Sequence, residues 1–170
     1  MTDRKWALLK TIWAWLRDIL PAVIVSYLLF GVLFRLAIVS GDSMWPTLKS
    51  GSLVLSQHAF YVPERGDIVI CDPESYGRTI IKRIIGIGGD TIDVDFENGA
   101  VYVNGEALDE PYVAEKMVRN EDAEFPITVE EGFIFVLGDN RNHSSDSRLP
   151  SIGQIPEDRI SGRYLGTILR

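Results

Sequence analysis

The sequence predicts a mostly β domain, a sheet-on-sheet or partly closed barrel arrangement, carried behind one N-terminal transmembrane helix. Three observations predict it. One long apolar run lies near the start. Short runs rich in Val, Ile, Tyr and Phe recur through the remainder, separated by turn residues. No long amphipathic helical pattern follows the apolar run.

The apolar run has no charge from Ile19 to Phe34 and continues past Arg35 through Leu36 to Val39. A bilayer core takes about 20 apolar residues as a helix. Ile19 to Val39 meets that length if Arg35 snorkels towards the headgroups. Pro21 falls in the first turn, where its missing N–H does little harm. Arg4, Lys5, Lys10 and Arg17 precede the run, and Trp6, Trp13 and Trp15 suit the interface. The run exceeds the apolar stretch of a cleaved signal peptide, about 7 to 15 residues. The expected organisation is a cytoplasmic N-terminus over residues 1–17, a transmembrane anchor over 18–39 and an extracytoplasmic β-rich domain over 40–170.

Beyond the anchor the β-rich runs are Leu53–Leu55, Asp67–Cys71, Thr79–Ile87, Thr91–Phe96, Val101–Val103, Phe133–Leu137 and Tyr164–Leu169. Asn98-Gly99 and Asn104-Gly105 read as tight turns. Asp90, Asp93, Asp95 and Glu97 alternate with Ile92, Val94 and Phe96, which reads as a solvated strand face. Carboxylates on one strand face do not converge on a metal, and no other metal-ligand spacing occurs, so no metal or cofactor is expected. A formal charge of −7 without a cluster of Lys or Arg argues against a nucleic-acid partner. The single cysteine, Cys71, excludes an intrachain disulfide and reads as a small buried hydrophobe.

Three segments carry candidate chemistry. Ser43 lies in SGDSMWPTL (Ser40 to Leu48), between Gly41 and Pro46, on a constrained loop directly after the anchor. A serine hydroxyl needs a base within hydrogen-bond reach to act as a nucleophile at neutral pH. Lys82 lies in a strand where alternation puts Ile80 and Ile84 on its own face. Burial among them would favour the neutral amine, whereas on an exposed sheet edge the same lysine would be solvated. The loop Gly138 to Arg148 (GDNRNHSSDSR) is dense in hydrogen-bonding groups and follows an apolar strand. His143 in that loop leaves a Ser–His–Asp arrangement open on composition, and His58 reads as a loop residue. The Gly-rich stretch Gly86–Asp90 lacks the Lys-Ser/Thr ending of a phosphate loop.

In this order, Ser40–Leu48, Arg65–Ile70 (RGDIVI), Ile80–Ile92 (IIKRIIGIGGDTI) and Gly138–Arg148 resemble the motifs of bacterial type I signal peptidases in their compact form. The resemblance implies a coiled β-sheet catalytic domain at the membrane surface. It also implies a membrane-bound serine endopeptidase that removes signal peptides from secretory preproteins, with small residues before the cut. It assigns Ser43 as nucleophile and Lys82 as general base, with Met44 bordering the substrate cleft. It gives Ser144 the task of orienting the lysine amine, and Asp139, Asp146, Arg148 and Arg83 that of supporting the site. Gly41 stands where some members supply an oxyanion-binding serine, so the hole falls to the Ser43 backbone N–H, with Ser40 as the nearest alternative hydroxyl. Two rivals remain: a self-cleaving repressor-type Ser–Lys peptidase, disfavoured by the apolar N-terminus, and a catalytically silent membrane-tethered binding module.

Overall fold

The computed structural model describes residues 2–170. The N-terminal unit is helix α1 (Thr2–Leu33). Within it, Ile12–Leu33 is 22 residues of mean hydropathy 1.8. At 1.5 Å per residue that reaches roughly the 30 Å of a hydrocarbon core. Val23, Leu28, Leu29 and Val32 are each more than half exposed, as lipid-facing side chains would be.

The helix stops at Leu33, short of the expected Val39. Phe34–Ile38 instead form strand β1, an edge of the larger sheet beside β2 (Leu53–Gln57). The apolar run therefore contains two elements. Aromatic and β-branched residues suit either one, and the choice follows from partners further along the chain. Val39 N–H donates to Ser52 O (2.9 Å), Val39 O accepts from Gly51 N–H (2.8 Å), and the Val39 side chain is buried.

The remaining strands, in chain order, are β3 (Ile68–Cys71), β4 (Ile80–Ile87), β5 (Thr91–Asp95), β6 (Ala100–Val103), β7 (Glu106–Ala107), β8 (Ile127–Thr128), β9 (Phe133–Leu137), β10 (Ile155–Pro156) and β11 (Ile160–Leu169). They make a seven-stranded sheet in the order β1-β2-β11-β3-β4-β9-β10 and a four-stranded sheet in the order β7-β6-β5-β8. Every run expected to be β contains a strand. The two-residue β7, β8 and β10 were not foreseen, because two residues show no period, and β11 starts earlier than expected, at Ile160. The expected turns also form: Gly99 takes φ +71°, and Asn104 and Gly105 take φ +54° and +82°.

Strand β4 lies between β3 and β9 and has both faces covered. Ile80 and Ile84 enter a core with Val69, Cys71, Ile134 and Val136. A register shift between Ile84 and Gly86 turns Ile85 into a second core, shared with Ile92, Val94, Val101 and Val103 of the smaller sheet. This double burial is what makes a charged side chain on β4 costly and a neutral one favourable. On the smaller sheet Asp93 and Glu97 are exposed as expected. Asp90 departs from that face: it is buried and bound by a two-pronged Arg65 guanidinium (2.7 and 2.6 Å). Burial opposes its ionisation, but the Ile87 N–H, Asn104 and Arg65 together hold its carboxyl below the usual range.

Candidate active site

The segment 40–48 is coiled tightly by two short hydrogen bonds, Trp45 N–H to Asp42 O (3.0 Å) and Leu48 N–H to Met44 O (2.8 Å). Met44 and Leu48 are both 1% exposed and plug a third core beside Val39, Val54 and Ile68. Burying the residue after Ser43 fixes where the serine can point. Its own carbonyl accepts from Asn140 N–H (3.0 Å), while the Asn140 side chain donates to Asp42 O (3.0 Å). The loop bearing Ser43 is thus tied to the loop 138–148, about a hundred residues away in sequence.

Strand alternation brings Lys82 to the same place. Its Nζ lies 2.7 Å from Ser43 Oγ and 2.9 Å from Ile81 O, and the residue is 3% exposed. Among the described residues Lys82 joins no ion pair. Burial pushes its pKa down, and Asp146, the Cys71 thiol and Asp139, none of them hydrogen-bonded to the amine, do not restore it. A neutral amine in hydrogen-bond contact with a hydroxyl is able to accept that hydroxyl's proton.

Three buried ion pairs surround the two groups. Arg83, next to Lys82, forks onto Asp139 (2.8 and 2.7 Å), which also accepts from Thr47 Oγ1 (2.5 Å). Asp146 and Arg148, both with fully buried side chains, pair at 2.8 and 2.9 Å, and Asp146 Oδ2 also receives the Gly138 N–H (3.0 Å). Arg141 forks onto Glu110 (2.9 and 2.5 Å). Gly138 is where the loop touches the backbone of Ser43: a Cβ there would stand 2.5 Å from Ser43 O and 2.1 Å from Ser144 Oγ. Only glycine fits so close a backbone approach.

A cleft of about 450 Å³ opens on Ser43 and Lys82. Ser40, Met44, Ile70 and Ile80 line it, and Tyr76, Arg78 and His143 also border it. Among the described residues no hydrogen bond uses the Ser43 backbone N–H, which leaves that donor free. The Ser40 residue lies on the cleft wall.

The structure thus brings together Ser43, Lys82, Arg83, Asp139, Asp146 and Arg148, with Met44 both buried and on the cleft. It departs from expectation at Ser144. That residue is nearby, but its hydroxyl is buried without a hydrogen-bond partner, and the carbonyl of Ile81 contacts the amine instead. His143 is exposed at the cleft, and the serine's partner is the lysine. His58 Nδ1 contacts Ser161 O (2.7 Å), away from the site. Cys71 is fully buried, and burial first of all pushes its thiol up to about 12. The sequence reading missed Thr47, Glu110 and Tyr112, whose ring lies 3.8 Å from the Arg83 guanidinium carbon. Thr47 sat inside a motif already singled out, whereas Glu110 and Tyr112 lie in an aperiodic stretch that gives no signal.

The chain is similar to known proteins. The family described as "Signal peptidase, peptidase S26" matches residues 12–168. A "Signal peptidase I" of Bacillus amyloliquefaciens is 38% identical over 163 residues, covering 90% of this chain and 83% of its own. "Signal peptidase I T" of Bacillus subtilis (strain 168) is 39% identical over 158 residues, covering 87% of this chain and 80% of its own. The crystal structure of a signal peptidase I from Enterococcus faecalis V583 superposes with a TM-score of 0.53 at 32% identity, covering 64% of this chain and all of that one.

Proposed function

The chain belongs to the signal peptidase, peptidase S26, family, and on that premise we propose that it removes signal peptides from secretory preproteins with a Ser43–Lys82 dyad at the membrane surface. The observation that carries this reading is the 2.7 Å contact between a hydroxyl and a buried amine that has no ion-pair partner among the described residues.

The preprotein enters the cleft as an extended strand, held by main-chain hydrogen bonds, with small side chains filling the pockets nearest the cut. Lys82 takes the proton of Ser43 as Oγ attacks the scissile carbonyl. The Ser43 N–H receives the developing oxyanion, with Ser40 as the candidate second donor. The amide C–N bond then breaks, the new amino terminus leaves with the proton from Lys82, and an ester to Ser43 remains. Lys82 next takes a proton from water, whose oxygen attacks the ester carbonyl; the bond to Ser43 Oγ breaks, Lys82 returns the proton to Oγ, and the signal peptide is released as a carboxylate. Helix α1 anchors the enzyme in the bilayer, where its substrates' apolar segments also reside, which raises local concentration without tightening intrinsic binding. Arg4, Lys5, Lys10 and Arg17 favour a cytoplasmic N-terminus, and residues from about 40 onward then lie outside.

The test is a cleavage assay of full-length protein on a preprotein. Ser43→Ala and Lys82→Ala should each abolish product while the circular dichroism of the β domain is retained. Activity retained by Lys82→Ala and lost by His143→Ala would replace the dyad with a histidine mechanism.

A further inference from the structure

Residues 108–126, between β7 and β8, contain neither helix nor strand, yet they grip the loop 138–148 along its length. Met117 anchors this strap, fully buried in the core shared by the two sheets. From there Lys116 O accepts from the Asn142 side chain (2.9 Å), Val118 N–H donates to Asn142 Oδ1 (3.0 Å), and Arg119 O accepts from Arg148 (2.7 Å). These contacts bind strap to loop.

Glu110 and Tyr112 do something further, because between them they hold Arg141, which is bonded to the loop at Gly138, and Arg83, the neighbour of Lys82 on β4. Glu110 forks onto Arg141, which is 1% exposed and whose Nε donates to Gly138 O (3.1 Å). Gly138 is the residue packed against the Ser43 carbonyl. The Tyr112 ring lies 3.8 Å from the Arg83 guanidinium carbon, and Arg83 adjoins Lys82 on β4. The Tyr112 hydroxyl donates to Glu110 Oε1 (2.9 Å), joining the two hooks. One hook therefore holds the loop behind the nucleophile, and the other holds the strand that carries the amine.

We propose that Glu110 and Tyr112 are positioning residues: they lock β4 against the loop 138–148, and so keep the Lys82 amine dry and within reach of the Ser43 hydroxyl. The inference rests on the Ser43–Lys82 reading given above. A guanidinium forked by a carboxylate fixes direction as well as distance, and a guanidinium held over an aromatic ring is confined to that face. Neither residue lines the cleft, so their effect falls on the chemical step and spares substrate binding. When the clamp loosens, the loop withdraws from β4 and water reaches the amine. The titratable groups facing that amine are the carboxylates of Asp139 and Asp146 from the loop and the Cys71 thiol from β3, while Arg83, next in the strand, is paired with Asp139. Hydration restores the ammonium and raises the pH needed to free the base.

The experiment uses full-length enzyme with kcat counted per acylatable Ser43, which removes any contribution from misfolded protein. Tyr112→Leu and Glu110→Gln should each lower kcat about tenfold or more, the scale of a sub-ångström misplacement, with KM little changed. In Tyr112→Leu the acid limb of kcat/KM should move to higher pH. Tyr112→Phe keeps the ring on Arg83 and loses only the bond to Glu110, so it should fall between wild type and Tyr112→Leu. It also carries the test if the leucine variant does not fold. Strap variants with wild-type kcat per active site and an unmoved acid limb overturn the proposal, even if their Tm is lowered. Lys82→Ala is assayed in parallel: if it is inactive while the strap variants behave as wild type, the clamp alone falls, and if it is active, the dyad and the clamp fall together.

Discussion

Arg83 and Asp139, 56 residues apart in sequence, meet in a two-pronged ion pair of 2.8 and 2.7 Å, with the carboxylate fully buried. The pair ties the strand bearing Lys82 to the loop that braces Ser43. Removing one partner of a buried pair leaves the other charge without compensation, which typically costs about 3–5 kcal/mol. Asp139→Asn should therefore lower stability on that scale in urea unfolding, and activity with it. Thr47→Val removes one hydrogen bond to the same carboxylate and should cost about 1 kcal/mol. Equal losses for the two variants would show that the charge of Asp139 is unimportant.

With Lys82 as the proposed base, the pH dependence of cleavage follows from its depressed pKa, for which burial is the main cause. The base works only when unprotonated, so kcat/KM should rise with pH through a pKa below the ordinary lysine value of 10.5 and stay high under alkaline conditions. Any variant that wets the amine should move that limb upward. A limb that is unchanged when Lys82 is replaced by another base, or that disappears in His143→Ala, would assign it elsewhere.

The same depression bears on stability. Between the folded pKa of Lys82 and 10.5 the unfolded chain binds more protons at this residue than the folded chain. Stability therefore rises with pH across that window, and below it the full cost of burying the amine is carried. Lys82→Met should consequently give an inactive but more stable protein. The gain should be larger at pH 7 than at pH 10 and should vanish above about pH 10.5, where lysine is neutral in both states. Thermal unfolding at pH 7 and pH 10 reads it, and a gain of equal size at both would contradict the burial argument.

Gly138→Ala should fold but cleave poorly. Its new Cβ would stand 2.5 Å from the Ser43 carbonyl oxygen, so the nucleophile loop or the 138–148 loop must move. Misplacing a reacting group by about 1 Å can cost roughly 100-fold in rate. The measurement is kcat per acylatable serine, and a near-normal value would show that the contact is not critical.

Cys71 should be chemically silent. It is fully buried, and its thiol is pushed up to about 12, so almost no thiolate exists at pH 8. Alkylating agents should leave the folded enzyme unmodified and active and should label Cys71 only after denaturation. Rapid labelling of the native protein would refute the burial.

Much of the architecture is legible in local pattern. The β-runs, the Asn-Gly turns and the alternation that puts Ile80, Lys82 and Ile84 on one face all depend on neighbours a few residues away. The ordered motifs around Ser43, Lys82 and Asp139 to Arg148 also identify the family from sequence. Other features have no local signature. Phe34–Ile38 has the composition of a helix end and becomes strand because a partner edge is present. Asp90 looks solvated until Arg65 reaches it. Ser144 has the right position in the motif, and the Ile81 carbonyl takes the contact with the amine.

The sequence by itself determined the two-part chain, with its apolar helix and β domain, the family, and the residues able to act as nucleophile and base. These depend on hydrophobic period and residue chemistry, which are written along the chain. Only the tertiary structure decided that the Lys82 amine is dry and in contact with Ser43, and that Glu110 and Tyr112 grip Arg141 and Arg83. The pKa of an amine is set by the water and charge around it, and Ser43, Asp139 and Asp146 reach it from 39 to 64 residues away in sequence.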